Sequence, residues 1–539
     1  MNGKKAAAGA AAGVLVVLIA LVAFYTRSRT AGETGFEKDW HLETREVDLG
    51  EFVALWPDAQ ARPSPDMKRV GRSVGTRDAK SRAVIDGKPG KVYWFVGGMS
   101  FSPDSKHVAY AAGTFGASRQ VTVVDGEEQP EHGGVSAPVF SPDSQRVAYA
   151  AYDDRSWCIV ADGIEGIGYA EVVGPYFSAD SKHVVYVARR ERRLILIVDG
   201  NEVKAYRGPS RFDWAGKCNV SLSPDLKHVA WLRYSNGDVQ VFLDGIAGAK
   251  YKEEVRELQF SPDSQRLAYA GKVGEDGWRV VVDGEAGPVY RIVQNIVFSP
   301  DSKRVGYYAW EKDGYRAVVN GVEKPACRWA EDTPVLFSPD SARLAYVNSR
   351  SIRAVTRWEQ EHCEKQWVVV DGRSGREYDR VGRPVFSPDS KHVAYAARKN
   401  DKEMCVVVDG REGPRRPLIV RTPVFSPNSY HLAWVAADPW ASSDKKRRQY
   451  LVVNNIKAAT YDKVFDEMFT FSDSLGGPRH PGHESPFIVV SEDPFHVRGP
   501  GEERLRVKPG IVFDDDNTLR VLALRDGHLY RVEVKIALK

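Results

Sequence analysis

Residues 101–112 read FSPDSKHVAYAA, and residues 386–397 repeat the same letters without a change. Phe140 opens FSPDSQRVAYAA, and close relatives of the element begin at Phe177, Leu222, Phe260, Phe298, Phe337 and Phe425. Weaker copies start at Ser64 (SPDMKRVGRSV), Phe471 (FSDS) and Phe513 (FDDDNTLRVLAL), which makes twelve, mostly 37 to 39 residues apart. A second signature lies between them: VVDG ending at Gly126, with counterparts ending at Gly87, Gly163, Gly200, Gly245, Gly284, Gly321, Gly372 and Gly410. Self-similarity at such a period marks a repeat architecture.

Each unit parses into four strands. A short apolar segment precedes the Phe, and SPDS then turns the chain. Pro presets φ there, and the Asp and Ser side chains can satisfy amides that a turn leaves free. HVAYAA is a second strand. The β-branched run ending in VVVD is a third, closed by a DG hairpin in which Gly tolerates positive φ. A weaker segment such as GPVYRIVQNIV supplies the fourth and leads into the next unit. Four antiparallel strands per unit of about 40 residues describe propeller blades. The expected fold is therefore all-β, a β-propeller of about twelve blades following an N-terminal transmembrane helix. Common propellers have about four to eight blades, so two six-bladed rings are expected over one large ring. Residues 61–300 would hold blades 1–6 and residues 301–539 blades 7–12, with 31–60 a linker that could supply a ring-closing strand.

FSPDS…VAY with VVVDG resembles the WD-like repeat of TolB-type bacterial propellers over roughly residues 60–537. It is also similar to propellers that precede the catalytic domain of prolyl-oligopeptidase relatives. TolB-type repeats commonly carry Gly after the Asp, where this chain has Ser105, Ser144 and Ser264. The α/β domain that precedes the TolB propeller has no counterpart in residues 31–60, so TolB's lipoprotein and colicin partners are not carried over.

Residues 1–30 are read as a membrane anchor. From Ala6 to Tyr25 no residue is charged, and a helix of about 20 residues just spans a bilayer core. A cleaved secretory signal is the competing reading, but Leu21 spoils a small-x-small cleavage site at Ala23, and Arg27 and Arg29 follow closely. With most of the chain beyond this helix, the propeller is expected on the extracytoplasmic, periplasmic side. The formal net charge of +4 on 539 residues, with both signs mixed throughout, makes no case for nucleic acid.

Insertions fall on one side of the expected blades. Residues 347–366 and 437–449 lengthen connections between second and third strands, and residues 206–219 lengthen a fourth-to-first connection. In a four-stranded blade these connections share the face opposite SPDS and DG. They carry Arg211, Trp214, Arg353, Arg357, Trp358, Trp440, Lys446 and Arg447, and Arg and Trp are favoured interface anchors. These eight residues are the candidate partner-binding set; solvated loops covering blade edges are the alternative. The loop 475–486 is expected on the SPDS side instead.

No catalytic, cofactor or metal site is expected. His107, His183, His228, His392 and His431 occupy one repeated position on different blades, where others have Arg146, Arg266, Arg304 or Arg343. His480, His483 and Glu484 cluster in a Gly- and Pro-rich stretch without the helix of a metalloprotease motif. No G-x-S-x-G elbow or Walker loop is present. Cys158 and Cys405 lie four residues before the Asp of a DG turn and read as inert buried thiols, while a disulfide among Cys218, Cys327 and Cys363 stays open. The expected function is a non-catalytic membrane-anchored scaffold binding a protein partner or cell-envelope polymer. The alternatives are a propeller hydrolase or lyase acting on polysaccharide or peptide in the ring channel, and a ligand sensor.

Overall fold

The computed structural model describes residues 40–51, 62–76, 78–115, 119–153, 155–207, 220–235, 237–274, 277–311, 314–325, 334–351, 364–400, 403–419, 422–437, 448–461, 463–465, 467–470, 506–509, 512–515, 517–525 and 528–538. They form an all-β propeller of eleven four-stranded blades. Blades 1 to 10 follow in chain order over residues 62–93, 96–132, 134–165, 171–207, 220–252, 255–290, 292–323, 336–374, 380–412 and 418–461. Blade 11 combines residues 463–465 and 512–515 as a split innermost strand, then Thr518–Arg525, His528–Leu538 and, as its outermost strand, Trp40–Glu51. The expected anchor in residues 1–30 lies outside the described residues. Among the described residues no helix is long and apolar enough to cross a membrane.

The blade count is one below the repeat count. The copy read at Phe471 supplies no blade, because Lys463–Phe465 and Val512–Asp515 on either side of it both pair with Thr518–Arg525. A short apolar motif with a turn-forming Asp and Ser is not enough to make a sheet. Phe471 itself lies outside the described residues.

The blades form one ring rather than two. Every junction has its own buried core. Tyr93, Val96 and Tyr110 sit between blades 1 and 2, and Ile159, Tyr186 and Ile197 between 3 and 4. Val280 and Tyr307 join blades 6 and 7 across the expected midpoint, and Leu451 and Val521 join blades 10 and 11. Leu49, Leu522 and Leu529 of blade 11 pack on Met67 and Val70 of blade 1, which closes the circle. A wide ring is accessible because each added blade buries the face its predecessor would otherwise expose.

The turn chemistry recurs from blade to blade. In DG turns both residues have positive φ, as at Asp125 (50°) and Gly126 (94°), the geometry that two-residue hairpins need. The Asp125 carboxylate also accepts the Val108 N–H at 2.9 Å and meets His107 Nδ1 at 2.7 Å, tying the third strand's end to the second strand's start. In SPDS, Ser102 Oγ donates to Asp104 Oδ1 at 2.6 Å and accepts the His107 N–H at 2.9 Å.

The second Ser of SPDS links blades. Ser144 Oγ of blade 3 accepts the Asp104 N–H of blade 2 at 2.9 Å. The same bond joins Asp66 to Ser105, Asp143 to Ser181, Asp225 to Ser264, Asp263 to Ser302, Asp301 to Ser341, Asp340 to Ser390 and Asp389 to Ser429. Each of these Ser residues sits at a φ of 61–67°, a left-handed conformation that costs a non-glycine residue about 1–2 kcal/mol. Gly would avoid that cost but has no hydroxyl to reach the neighbour, which accounts for the departure from the TolB-type pattern. Leu226 occupies the place in blade 5, so the junction of blades 4 and 5 lacks this bond.

The histidines and arginines after the turn divide this work. His107, His183, His228 and His392 each meet the DG aspartate of their own blade at 2.6–2.7 Å. Arg146, Arg266 and Arg343 make the same bond through Nε at 2.7–2.8 Å and also reach backbone carbonyls of the next blade. They lie over its Phe ring as well, Arg146 over Phe177 and Arg266 over Phe298. Burying one large apolar side chain is worth roughly 1.5–3 kcal/mol and one hydrogen bond about 1 kcal/mol. The apolar junctions therefore hold the ring together, and the polar links set how each blade meets the next.

Ser302→Ala should lower stability by about 1–2 kcal/mol, because it removes the acceptor from a part-buried N–H and leaves a methyl at positive φ. Ser302→Gly should cost less than half as much, and urea unfolding midpoints would show both. Equal losses would contradict the conformational cost assigned to the positive φ, and an unchanged midpoint in Ser302→Ala would contradict the role given to the hydroxyl. A chain beginning at residue 52 should melt well below one beginning at residue 40, since it loses the outermost strand of blade 11; equal melting temperatures would contradict that closure.

Candidate binding face

The strand order gives the ring two distinct faces. SPDS turns (first to second strand) and DG turns (third to fourth) share one, and the remaining connections share the other. The insertion 352–363 leaves blade 8 after Leu344–Ser351 and returns at Glu364–Val370. The insertion 438–447 separates Leu432–Ala437 from Gln449–Val453 in blade 10, and 208–219 joins Asn201–Arg207 of blade 4 to Val220–Leu222 of blade 5. All three therefore start and end on the face opposite the turns. Arg211, Trp214, Arg353, Arg357, Trp358, Trp440, Lys446 and Arg447 themselves lie outside the described residues, as do Cys218, Cys327 and Cys363.

The strand ends that carry the insertions are bound into their blades. Arg350 meets Glu377 at 2.6 Å, and Lys365 pairs with Asp379 at the start of the returning strand. In blade 4, Arg189 Nε lies 2.7 Å from Glu171, with side chains only 14% and 10% exposed, an ion pair shielded from solvent screening. Tyr206, near the start of the 208–219 insertion, packs at a tilt against the buried Trp231 of blade 5, with ring centroids 5.2 Å apart. The insertions thus leave from fixed points.

The channel wall is formed by the innermost strands, which are bulged at a shared point. Gly98, Gly174, Glu257 and Asn295 take positive φ there. Glu257 of blade 6 accepts the N–H groups of Asn295 and Ile296 of blade 7 at 2.9 and 2.6 Å, and Gln259 donates to the Ile296 carbonyl at 2.6 Å. In blade 11 the innermost strand is split between Lys463–Phe465 and Val512–Asp515, and between them in the chain Glu467–Thr470 pairs antiparallel with Arg506–Pro509. Residues 475–486, expected as a loop on the SPDS side, lie outside the described residues. His480, His483 and Glu484 fall outside the described residues. Among the described residues no three His, Cys, Asp or Glu side chains are grouped to hold a metal ion.

An outer belt was not anticipated from the sequence. Near the end of a blade's fourth strand a Tyr packs edge-on against the second-strand Tyr of the next blade, as Tyr93 on Tyr110 and Tyr290 on Tyr307. Its hydroxyl donates to a Glu two residues beyond the next DG turn, Glu128 and Glu323. Burial, the hydrogen bond to Glu128 and the charge nearby push the Tyr93 phenol well above its usual range, so it stays a donor. Tyr and Glu at those offsets are the sequence signal, hidden by the variable fourth strand.

No protein-family model matches the chain, and no curated protein sequence matches it. Solved structures do. A eukaryotic initiation factor is similar over 72% of this chain and 94% of its own, at 14% identity and a TM-score of 0.36. The β-propeller domain of the Trilobed protease from Pyrococcus furiosus matches over 52% and 94%, at 13% identity and a TM-score of 0.26. TolB from Acinetobacter baumannii matches over 52% and 77%, at 12% identity and a TM-score of 0.21. The structural neighbours thus include TolB and other β-propellers.

Cys158 and Cys405 occupy one position in the third strands of blades 3 and 9, and burial pushes both thiols up to about 11. At about pH 8 roughly one in a thousand would be ionised. In a variant with Cys218, Cys327 and Cys363 changed to Ser, a maleimide should label neither thiol until the protein is unfolded. Rapid labelling of the native protein would contradict this.

Proposed function

We propose that the protein is a non-catalytic recognition scaffold, anchored through its N-terminal segment, that binds a protein partner or cell-envelope polymer with its insertion-bearing face. The observation that carries this reading is the common origin of the three insertions, all from one face of a closed, internally stitched ring. Loop insertions on a rigid scaffold are where binding residues concentrate, and the Arg- and Trp-rich composition of these insertions suits an interface.

The entry point of the chain supports an orientation. Trp40 pairs with Leu538, and its ring lies 4.7 Å from that of His431, the residue that follows the SPNSY turn of blade 10. The N-terminal segment therefore joins the ring on the turn face, and a tether there directs the insertions away from the bilayer, on the extracytoplasmic side in this reading. The second reading, an enzyme working in the ring channel, draws on the 466–511 excursion, which begins and ends on the channel wall.

Pull-down from solubilised membranes with residues 31–539 tests the scaffold. A specific partner should be recovered, and Trp358→Ala with Trp440→Ala should weaken its binding at least about tenfold, as expected of hot-spot aromatics. Recovery of no partner, alongside turnover in a screen of polysaccharide and peptide substrates, would replace the scaffold with the enzyme.

A further inference from the structure

The outer belt changes character between blades 2 and 3. At four other junctions a tyrosine donates to the next blade's glutamate: Tyr93 to Glu128 at 2.7 Å, Tyr290 to Glu323 at 2.9 Å, Tyr378 to Glu412 at 3.1 Å and Tyr461 to Glu46 at 2.6 Å, whereas the Tyr169 hydroxyl of blade 3 makes no hydrogen bond. In blade 2 the place of the tyrosine is held by His132, and its glutamate on blade 3 is Glu165. The imidazole is 2% exposed and stands edge-on to Tyr149 of blade 3, as the tyrosines do at their junctions.

Its two nitrogens have different surroundings. Nδ1 lies 2.5 Å from Asp153 Oδ2, and Asp153 Oδ1 accepts the Gly133 N–H at 2.7 Å. Burial pushes the Asp153 carboxyl up, but those two bonds outweigh it and hold the group below the usual carboxylate range. An ionised Asp153 fixes the proton of the neutral imidazole on Nδ1, which leaves a lone pair on Nε2. That Nε2 is buried, makes no hydrogen bond, and sits 3.9 Å from Glu165 Oε1. Neutral imidazole and carboxylate thus face each other as two acceptors. The belt bond is open here.

We propose that His132 is an acid-tightened latch between blades 2 and 3: protonation at Nε2 makes it a donor to Glu165 and completes the belt at that junction. Charged groups surround it. Asp153 and Glu165 are carboxylates from blade 3, and Glu131 adjoins the histidine on its own strand. Arg119 is a nearby cation, shared between Glu131 at 3.2 Å and Asp153 at 3.4 Å, and Thr114 also binds Glu131. Among the described residues of blade 3, the Tyr149 phenol and the Cys158 thiol are further titratable neighbours, which burial keeps protonated. Because the bond exists only in the protonated state, its contribution is present at low pH and lost as pH rises.

Hydrogen–deuterium exchange on the full chain, corrected for the intrinsic pH dependence of exchange, tests the latch. Protection of segments 127–135 and 162–169 should rise about fivefold between about pH 8 and about pH 5.5, the range in which histidine switches. Comparison with variants separates this response from the His–Asp pairs on the turn face. His132→Tyr should be flat and protected at both pH values, because the phenol donates regardless. Glu165→Gln should also be flat, since its amide can donate to the neutral Nε2. Should the tyrosine variant fail to fold, His132→Gln must likewise lose the pH response. A wild type without the rise, or any of these variants keeping it, overturns the proposal.

Discussion

A four-stranded sheet with apolar side chains on both faces cannot be stable alone, and the rest of this molecule follows from that constraint. Each blade covers one face of its neighbour, so the problem moves along the chain until the two ends meet. Here they meet in blade 11, where Trp40–Glu51 pairs along His528–Leu538 and carries Leu49 onto Met67 and Val70 of blade 1. The N-terminal strand is thus the last piece of the sheet and the first contact with the next one. The same strand places Glu46 between Tyr461 and Arg525, so closure is polar as well as apolar.

Within that frame the two faces have different freedom. The turn face carries the Asp–Ser bonds, the DG aspartates and the His or Arg that reads them, and a change in loop length there would break contacts to two blades. Among the described residues the Asp–Ser lacing is confined to the turn face, and on the opposite face added residues cost mainly loop-closure entropy that grows slowly with length. Long insertions therefore collect on one side for a physical reason, and a binding surface can be built there without disturbing the ring.

The strands and both turn types were legible because they repeat: FSPDS and VVDG fix the first three strands of nearly every blade. The ring number was not legible, since it depends on whether Val280 meets Tyr307 across the middle and whether Leu49 reaches Met67. Phe471 was counted as a blade because FSDS mimics the turn, although the strand it would extend is shared with Val512–Asp515. The choice of Ser over Gly made sense only once Ser144 was seen to serve Asp104 of another blade. His132 gave no local sign of its place, because the fourth strand varies and its counterparts are tyrosines. The eight candidate binding residues were found from insertion and composition, and the structure adds the fixed positions from which their loops depart.

The central claim is one closed ring of eleven blades sealed by the N-terminal strand. Electron-microscopy projections of the intact chain down the ring axis test it most directly. The account predicts a single annulus of eleven spokes around one open channel. Two smaller rings side by side, or a ring broken at the junction of residues 40–51 with residues 62–76, would contradict it.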